Sequence, residues 1–370
     1  MVRWIALPTV VFLALLSPKS RAMDAVDDSF TPLYEGAHVI STQRLPSLPP
    51  KIPWGSAFMR DTDIVLGRYK WYVADVTCLV EASGQVRETI ITESMPTLNL
   101  SAAIVDDLRT QKLIAGIGPE GPVASLFSFR IYYTLKQYLG DLGTLAGRLR
   151  RSAQQGNAGA QYTLSRLMGA NVALNRTGLD ADDLLRRAAD PGKDRRAMLA
   201  LGAMTGKIPA EERRGWVMKS ARADLAPAQV LVALDSWAEQ TEAGHARARH
   251  WLELAAKAGD PVASKYLAAL LVSHSDSPAD WKVARKLAST AGEGWHGRND
   301  PDAWQVLAAA AALTGDFAAA VKAQSKARDL AADAKWTLSP VERRLTSYEE
   351  SRTVSDEIVL IPVVARVIIP

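Results

Sequence analysis

Ala-x-x-x-Leu or Ala-x-x-x-Val recurs five times in the second half of this chain, as Ala160/Leu164, Ala197/Leu201, Ala228/Val232, Ala263/Leu267 and Ala303/Leu307. Successive anchors lie 37, 31, 35 and 40 residues apart. Residues four apart share one face of a helix, and such a period holds two short helices with their turns. Seven or eight residues before the first four anchors stands a pair of small residues: Ser152-Ala153, Ala188-Ala189, Ser220-Ala221 and Ala255-Ala256. Four residues before three of those pairs a bulky side chain recurs, namely Leu184, Trp216 and Trp251. Helices approach closely only where side chains are short, and a large residue fills the gap between neighbouring helix pairs. The pattern predicts an α-solenoid over residues 139–336.

The run Ala153-Gln154-Gln155-Gly156-Asn157-Ala158-Gly159-Ala160-Gln161-Tyr162 and the run Trp251-Leu252-Glu253-Leu254-Ala255-Ala256-Lys257-Ala258-Gly259-Asp260 carry a resemblance. Both resemble the Sel-like branch of the tetratricopeptide superfamily. Ala308 to Leu330, with Gly315-Asp316-Phe317, is similar to an ordinary tetratricopeptide unit. The resemblance implies a scaffold that holds other proteins on a helical surface, with no catalytic residues to carry over.

Residues 61–138 read differently. Tyr72, Ala74, Val76, Cys78 and Val80 fall on one face of a period-two pattern, which predicts a half-buried strand with Cys78 as a small core residue. Ala82-Ser83-Gly84-Gln85 is turn chemistry, and Val86 to Thr92 supplies the second arm of a hairpin. Asn99 can cap a helix through Leu100, Ala103, Ile104 and Leu108. A third strand follows, with Phe127, Phe129, Ile131 and Tyr133 on one face and Ser128 and Arg130 on the other. Strand, strand, helix, strand predicts a helix packed on a small antiparallel sheet.

Leu79-Val80, Ser83-Gly84-Gln85-Val86, Ile90-Ile91, Ser94, Leu100-Ser101-Ala102-Ala103, Leu108 and Gly121-Pro122-Val123 occur in an order and spacing similar to the C-terminal domain of TonB-type energy transducers. Lys112-Leu113-Ile114 stands where that family has a tryptophan-arginine-phenylalanine-like signature. The resemblance implies a fold and a periplasmic protein-binding surface. Binding by strand addition would use the edge strand carrying Val123, Leu126, Ser128, Arg130 and Tyr132.

The two ends set the compartment. Residues 1–22 have one early Arg, an apolar run of 13 residues from Trp4 to Leu16, and Ser20-Arg21-Ala22 before Met23. That layout predicts a secretory signal cleaved between Ala22 and Met23, because spanning a bilayer takes about 20 apolar residues. The expected location after cleavage is the periplasm or the cell exterior, with membrane contact at most indirect. Residues 23–60 contain Pro46, Pro49, Pro50 and Pro53 and read as an extended linker. Residues 337–370 read as a tail whose β-branched stretch Val359 to Ile369, interrupted by Pro362, needs a docking place.

Composition excludes several classes. The 370 residues are 48% hydrophobic and 23% charged, with mean hydropathy −0.04, which suits globular domains. Arg3, Lys19 and Arg21 carry three of the four excess positive charges, so the mature chain is nearly neutral and has no field to hold nucleic acid. A single cysteine rules out an internal disulfide framework and any cysteine-cluster metal site. His245 and His250 are five apart, where two ligands on one helical face need four, and His274 and His296 have no helical partner. Gly116-Ile117-Gly118-Pro119-Glu120-Gly121 matches G-x-G-x-x-G, but a strand rather than a helix is predicted to follow it, so it reads as a turn. Asp106-Asp107, Asp182-Asp183 and Glu349-Glu350 are carboxylate pairs that sequence alone leaves open.

The expected molecule is therefore α+β: a small antiparallel sheet-plus-helix domain followed by an α-solenoid of helix-turn-helix repeats. Its expected role is non-enzymatic protein–protein interaction without metal or cofactor. The alternatives are a membrane-anchored TonB-like energy transducer that keeps residues 1–22, and an envelope hydrolase or ligand-binding protein.

Overall fold

The computed structural model describes Val10–Val11, most of 71–134, and 139–354. Outside the description within those ranges are residues 82, 96–104, 107, 110–115, 119–120, 124, 171–177, 191, 203–207, 238 and 295–296. Apart from Val10 and Val11, the predicted signal and linker lie outside the described residues, as does the 359–369 stretch. The chain forms two compact units: Met1–Asp107 with Leu113–Lys219, and Leu108–Lys112 with Ser220–Pro370.

The first unit carries strands β1 (Val10–Val11), β2 (Trp71–Val80), β3 (Val86–Met95), β4 (Gly116–Gly118), β5 (Gly121–Val123) and β6 (Ser125–Thr134). Period-two alternation buries Ala74, Val76 and Val80 on one face of β2. The side chain of Cys78 lies outside the description. β2 pairs antiparallel with β3 on one side and β6 on the other, so Thr77 faces Ile90 and Ser128. Between β2 and β3, the Glu81 N–H donates to the Gln85 carbonyl at 2.8 Å and the Gly84 N–H to the Glu81 carbonyl at 2.8 Å. Val10 and Val11 pair with Tyr133 and Tyr132 at one end of β6. Gly118 pairs with Gly121 and Ile117 with Pro122, so the G-x-G-x-x-G match lies on a tight hairpin. Val105, Asp106, Leu108 and Arg109 are helical.

Twelve helices follow among the described residues. They are α1 (Leu139–Gln154), α2 (Ala158–Ala170), α3 (Ala181–Ala189), α4 (Arg195–Gly202), α5 (Ala210–Arg222) and α6 (Ala226–Trp237). After these come α7 (Glu242–Lys257), α8 (Pro261–His274), α9 (Pro278–Glu293), α10 (Pro301–Leu313), α11 (Phe317–Asp333) and α12 (Ser339–Glu349). Within each unit, helices adjacent in sequence pack on one another: α1 to α4 in the first, α6 to α12 in the second. This is a helical, repeat-like architecture. Packing continues through α12, beyond the predicted end of the array at residue 336. The last unit legible in the sequence runs from Ala308 to Leu330, and Ser339-Pro340 opens one more helix with proline in its first turn.

Why the repeats hold one geometry despite a varying period is visible in their turns. The Gly259 N–H donates to the Ala256 carbonyl and the Asp260 N–H to the Ala255 carbonyl, closing α7 with a left-handed residue, Gly259, at φ 87°. The Asp260 carboxylate then accepts from the Ala263 N–H at 2.8 Å and starts α8. The same double closure recurs at Gly156, Asp224, Gly315, Lys335 and Ser351. Main-chain hydrogen bonds set the bend, so the residue at the bend varies.

The cores absorb the repeated residues. Ala153, Ala160, Leu164 and Leu184 share one cluster, and Ala188, Ala189, Ala197 and Leu201 share another, with Trp216 packed against it. In the second unit Ala228, Val232, Ala263, Leu267 and Ala303 are buried, while Leu307 is half-buried against α11 and α12 residues.

Candidate functional site

Among the described residues, buried charge is concentrated in the second unit, around Asp300. Asp300 caps the N-terminus of α10, and its Oδ1 accepts from the Asp302 N–H at 3.0 Å. Its Oδ2 takes two cations: Lys265 Nζ from α8 at 2.9 Å and Arg109 Nη2 at 2.9 Å. From there the polar chain continues through α10 to α12. Gln305 Nε2 donates to Asp302 Oδ1 at 2.9 Å, and Arg344 Nη1 from α12 donates to Gln305 Oε1 at 2.6 Å. All six side chains are buried, at 0–6% exposure, which makes their pairing obligatory. Burial alone would push the Asp300 carboxyl up. The Arg109 and Lys265 charges, the Lys265 hydrogen bond and the Asp302 amide together outweigh it and hold Asp300 well below the usual carboxylate range. A carboxylate fixed as an anion in a closed site can recognise a cation.

A second, outer set of ion pairs joins alternate helices. Arg186 on α3 reaches Glu212 in the first turn of α5 at 3.1 Å. Arg249 on α7 grips Asp280 in the first turn of α9 with two bonds, 2.9 and 3.1 Å. Arg285 on α9 pairs with Asp316, the cap of α11, and also donates to Thr314 Oγ1 at 3.2 Å. Hydrogen bonds from Arg249 and Ser275, together with the Arg249 charge, keep Asp280 below its ordinary value against the opposing effect of burial. These pairs are largely exposed, so each contributes about 0–1 kcal/mol. Acids in the first turn suit the helix dipole.

Two further groups stand apart. His245 of α7 stacks on His274 at the end of α8, ring centroids 3.8 Å apart, and Trp237 Nε1–H of α6 donates to His274 Nε2 at 3.2 Å. Burial, with His245 adding, lowers the His274 pKa. In the first unit Arg213 is buried, and its Nε and Nη1 have no hydrogen-bond partner. Burial lowers its pKa, as it does for Arg166, pulled down to about 10 with Asp182 opposing.

The residues singled out in sequence fall as follows. Ser128 pairs with Thr77, Leu126 with Leu79, Arg130 with Asp75 and Tyr132 with Val73, while Val123 pairs with Gly116. The side chains of this set lie outside the description, as do Ala22, Met23 and His296. Trp216 packs against a core cluster. Asp183 pairs with Arg187 at 2.7 Å, and Glu350 with Arg352. The histidine spacing rule looks along one helix, and His245 and His274 meet across two. Sequence reading also passed over Gln161 and Gln229, each directly after an anchor alanine. Their Nε2 groups donate to the carbonyls of Ala153 and Ala221, the second members of two small-residue pairs, at 3.1 and 3.2 Å. The recurring Ala-Gln at 160–161 and 228–229 was the available signal.

Among the described residues no group of three or more His, Cys, Asp or Glu is placed to hold a metal, and no helix is long and apolar enough to cross a membrane. No protein-family model matches the chain. No curated protein matches it either.

Proposed function

We propose that this chain is a non-enzymatic interaction scaffold of the bacterial periplasm, with a TonB C-terminal-like module ahead of Sel-like and tetratricopeptide-like repeats. The observation behind this reading is the consecutive helix-on-helix packing, in which the repeated small and bulky residues meet one another. Side chains spent on packing free the remaining helix faces to vary, which is how repeat arrays build binding surfaces. In the sheet order β1-β6-β2-β3 the two-residue β1 pairs with β6 at Tyr132 and Tyr133, so strand addition, if it uses β6, would run along Ser125–Ile131 beside it. Partners are proteins of the envelope rather than nucleic acid or metal.

Leu254 on α7 and Val283 on α9 are large apolar side chains left exposed. A photoreactive amino acid at either position in the full chain, expressed in cells, should crosslink to a discrete partner. The same probe at exposed Arg187 is the comparison. Equal, diffuse labelling from all three positions would overturn the scaffold reading. A product that requires residues 1–22 to remain attached would favour the energy-transducer alternative.

A further inference from the structure

Exposure divides the second unit by alternate helices. Apart from His274 at the end of α8, no residue of α6, α8 or α10 is exposed, whereas α7, α9 and α11 each keep an open face. The surface that these six helices offer a partner is therefore made by α7, α9 and α11, which the Arg249–Asp280 and Arg285–Asp316 pairs tie together.

Part of that surface carries unopposed positive charge. Lys282 and Lys286 on α9 and Lys322 and Lys326 on α11 are exposed, and each pair is four residues apart, on one face of its helix. None of the four has a hydrogen bond or ion pair among the described residues. The nearby acids are already engaged: Asp280 by Arg249, Asp316 by Arg285 and Asp329 by Arg328. Like charges at this spacing destabilise a helix, a cost that an acidic partner relieves. Val283, 48% exposed, lies beside Lys282 and three residues before Lys286, so the charged face has an apolar spot within it.

We infer that the lysine face of α9 and α11 is the docking surface for an acidic polypeptide segment, with Val283 receiving an apolar side chain of that segment. An ammonium is a compact point charge on a flexible stem, so the surface reads a density of carboxylates rather than one posed pair. Leu254 and Val283 are the large apolar side chains exposed among the described residues, too small an area to enter a bilayer. No described aromatic ring is exposed for bases to stack on. The inference gives the scaffold proposed above a partner chemistry and rests on that reading. Discrete crosslinking from Val283 that persists after the four lysines are neutralised refutes the acidic surface alone.

The test titrates the full chain, by fluorescence anisotropy, with an acetylated Glu-Glu-Leu-Glu-Glu peptide carrying a neutral dye. A Gln-Gln-Leu-Gln-Gln peptide is the uncharged isostere. In about 0.05 M salt the acidic peptide should bind at least about tenfold more tightly than the glutamine peptide, and about 0.5 M salt should remove most of that preference. Lys282→Gln, Lys286→Gln, Lys322→Gln and Lys326→Gln together should weaken acidic-peptide binding about tenfold or more. These side chains are exposed and without partners, so the variant should keep the melting temperature of the unaltered chain. Arg148→Gln, Arg150→Gln and Arg151→Gln together remove three exposed cations of α1 and should leave binding within about twofold.

Equal binding of the two peptides, binding of neither, or equal losses from the two sets of substitutions overturns the inference. So does tighter binding to phosphatidylglycerol vesicles or to oligothymidylate than to the acidic peptide, which would assign the surface to a membrane or to nucleic acid.

Discussion

Gly202 ends α4 where that helix crosses α5, and a methyl group added to it would lie 2.3 Å from Val217 Cγ2. It would also lie 3.1 Å from the Arg213 carbonyl oxygen and 3.2 Å from the Val217 nitrogen. Carbon atoms rest about 3.5–4.0 Å apart, so the overlap exceeds roughly 1 Å. Relief by rotation is closed off. Val217 is fully buried, and a β-branched side chain in a helix has one strongly preferred rotamer. The two backbone atoms can retreat only if the helices part.

Against this, Gly→Ala gains at most about 1 kcal/mol of helix propensity, and less at a terminal residue. Overpacking costs about 1–3 kcal/mol, so Gly202→Ala should lower the local opening free energy by about 2 kcal/mol. Val217→Ala alone removes two buried methyls and should cost about 2 kcal/mol. In the double variant the 2.3 Å overlap is gone and only the two milder backbone contacts, 3.1 and 3.2 Å, remain, so the pair should cost less than the sum of the single variants, a coupling of about 1–2 kcal/mol.

The assay is hydrogen exchange followed by mass spectrometry of peptides covering 195–222 in the full chain, which reports opening of these two helices separately from the rest. Wild-type protection in Gly202→Ala, or a cycle additive within about 0.5 kcal/mol, would refute the close-approach argument.

Asp300→Asn leaves the buried Arg109 and Lys265 without their carboxylate and should destabilise the second unit by about 3–5 kcal/mol, read as the loss of a thermal transition. Because the Asp300 pKa is depressed in the folded state, its stabilisation is complete above the unfolded value of about 3.9 and disappears as pH falls below it. His274 runs the same way through a different cause: its folded pKa lies below the unfolded value of about 6.5, so the neutral ring is favoured by folding. Stability should drop as pH falls below that value, and His274→Gln should flatten the melting-temperature profile between pH 7 and 5. Arg213→Met keeps the aliphatic length and removes a desolvated charge whose Nε and Nη1 lack partners, so it should raise stability by about 1–3 kcal/mol in a denaturant series. A loss of stability there would mean the guanidinium is held by something other than hydrogen bonds.

Local chemistry makes the helices legible in the sequence. Ala153, Ala188 and Ala189 are small where helices meet, and Asp180, Asp260 and Asp316 cap helices in the way their side chains allow. Long-range pairing was not legible. Lys265 and Asp300 are 35 residues apart and Gln305 and Arg344 are 39 apart, distances at which no motif is read. His245 and His274 looked solitary because a spacing rule sees one helix at a time. Arg109 was invisible for the same reason, since its partners belong to the helical half of the chain.

The ties from Lys265 to Asp300 and from Gln305 to Arg344 skip a helix each time, joining α8 to α10 and α10 to α12. A repeat array with nearest-neighbour contacts alone melts gradually, shedding units from its ends. Here peeling away α12 strips a buried guanidinium from its amide, and losing α10 leaves Lys265 buried without its counterion. End fraying is penalised, and residues 226–349 should unfold as one cooperative block with a single transition.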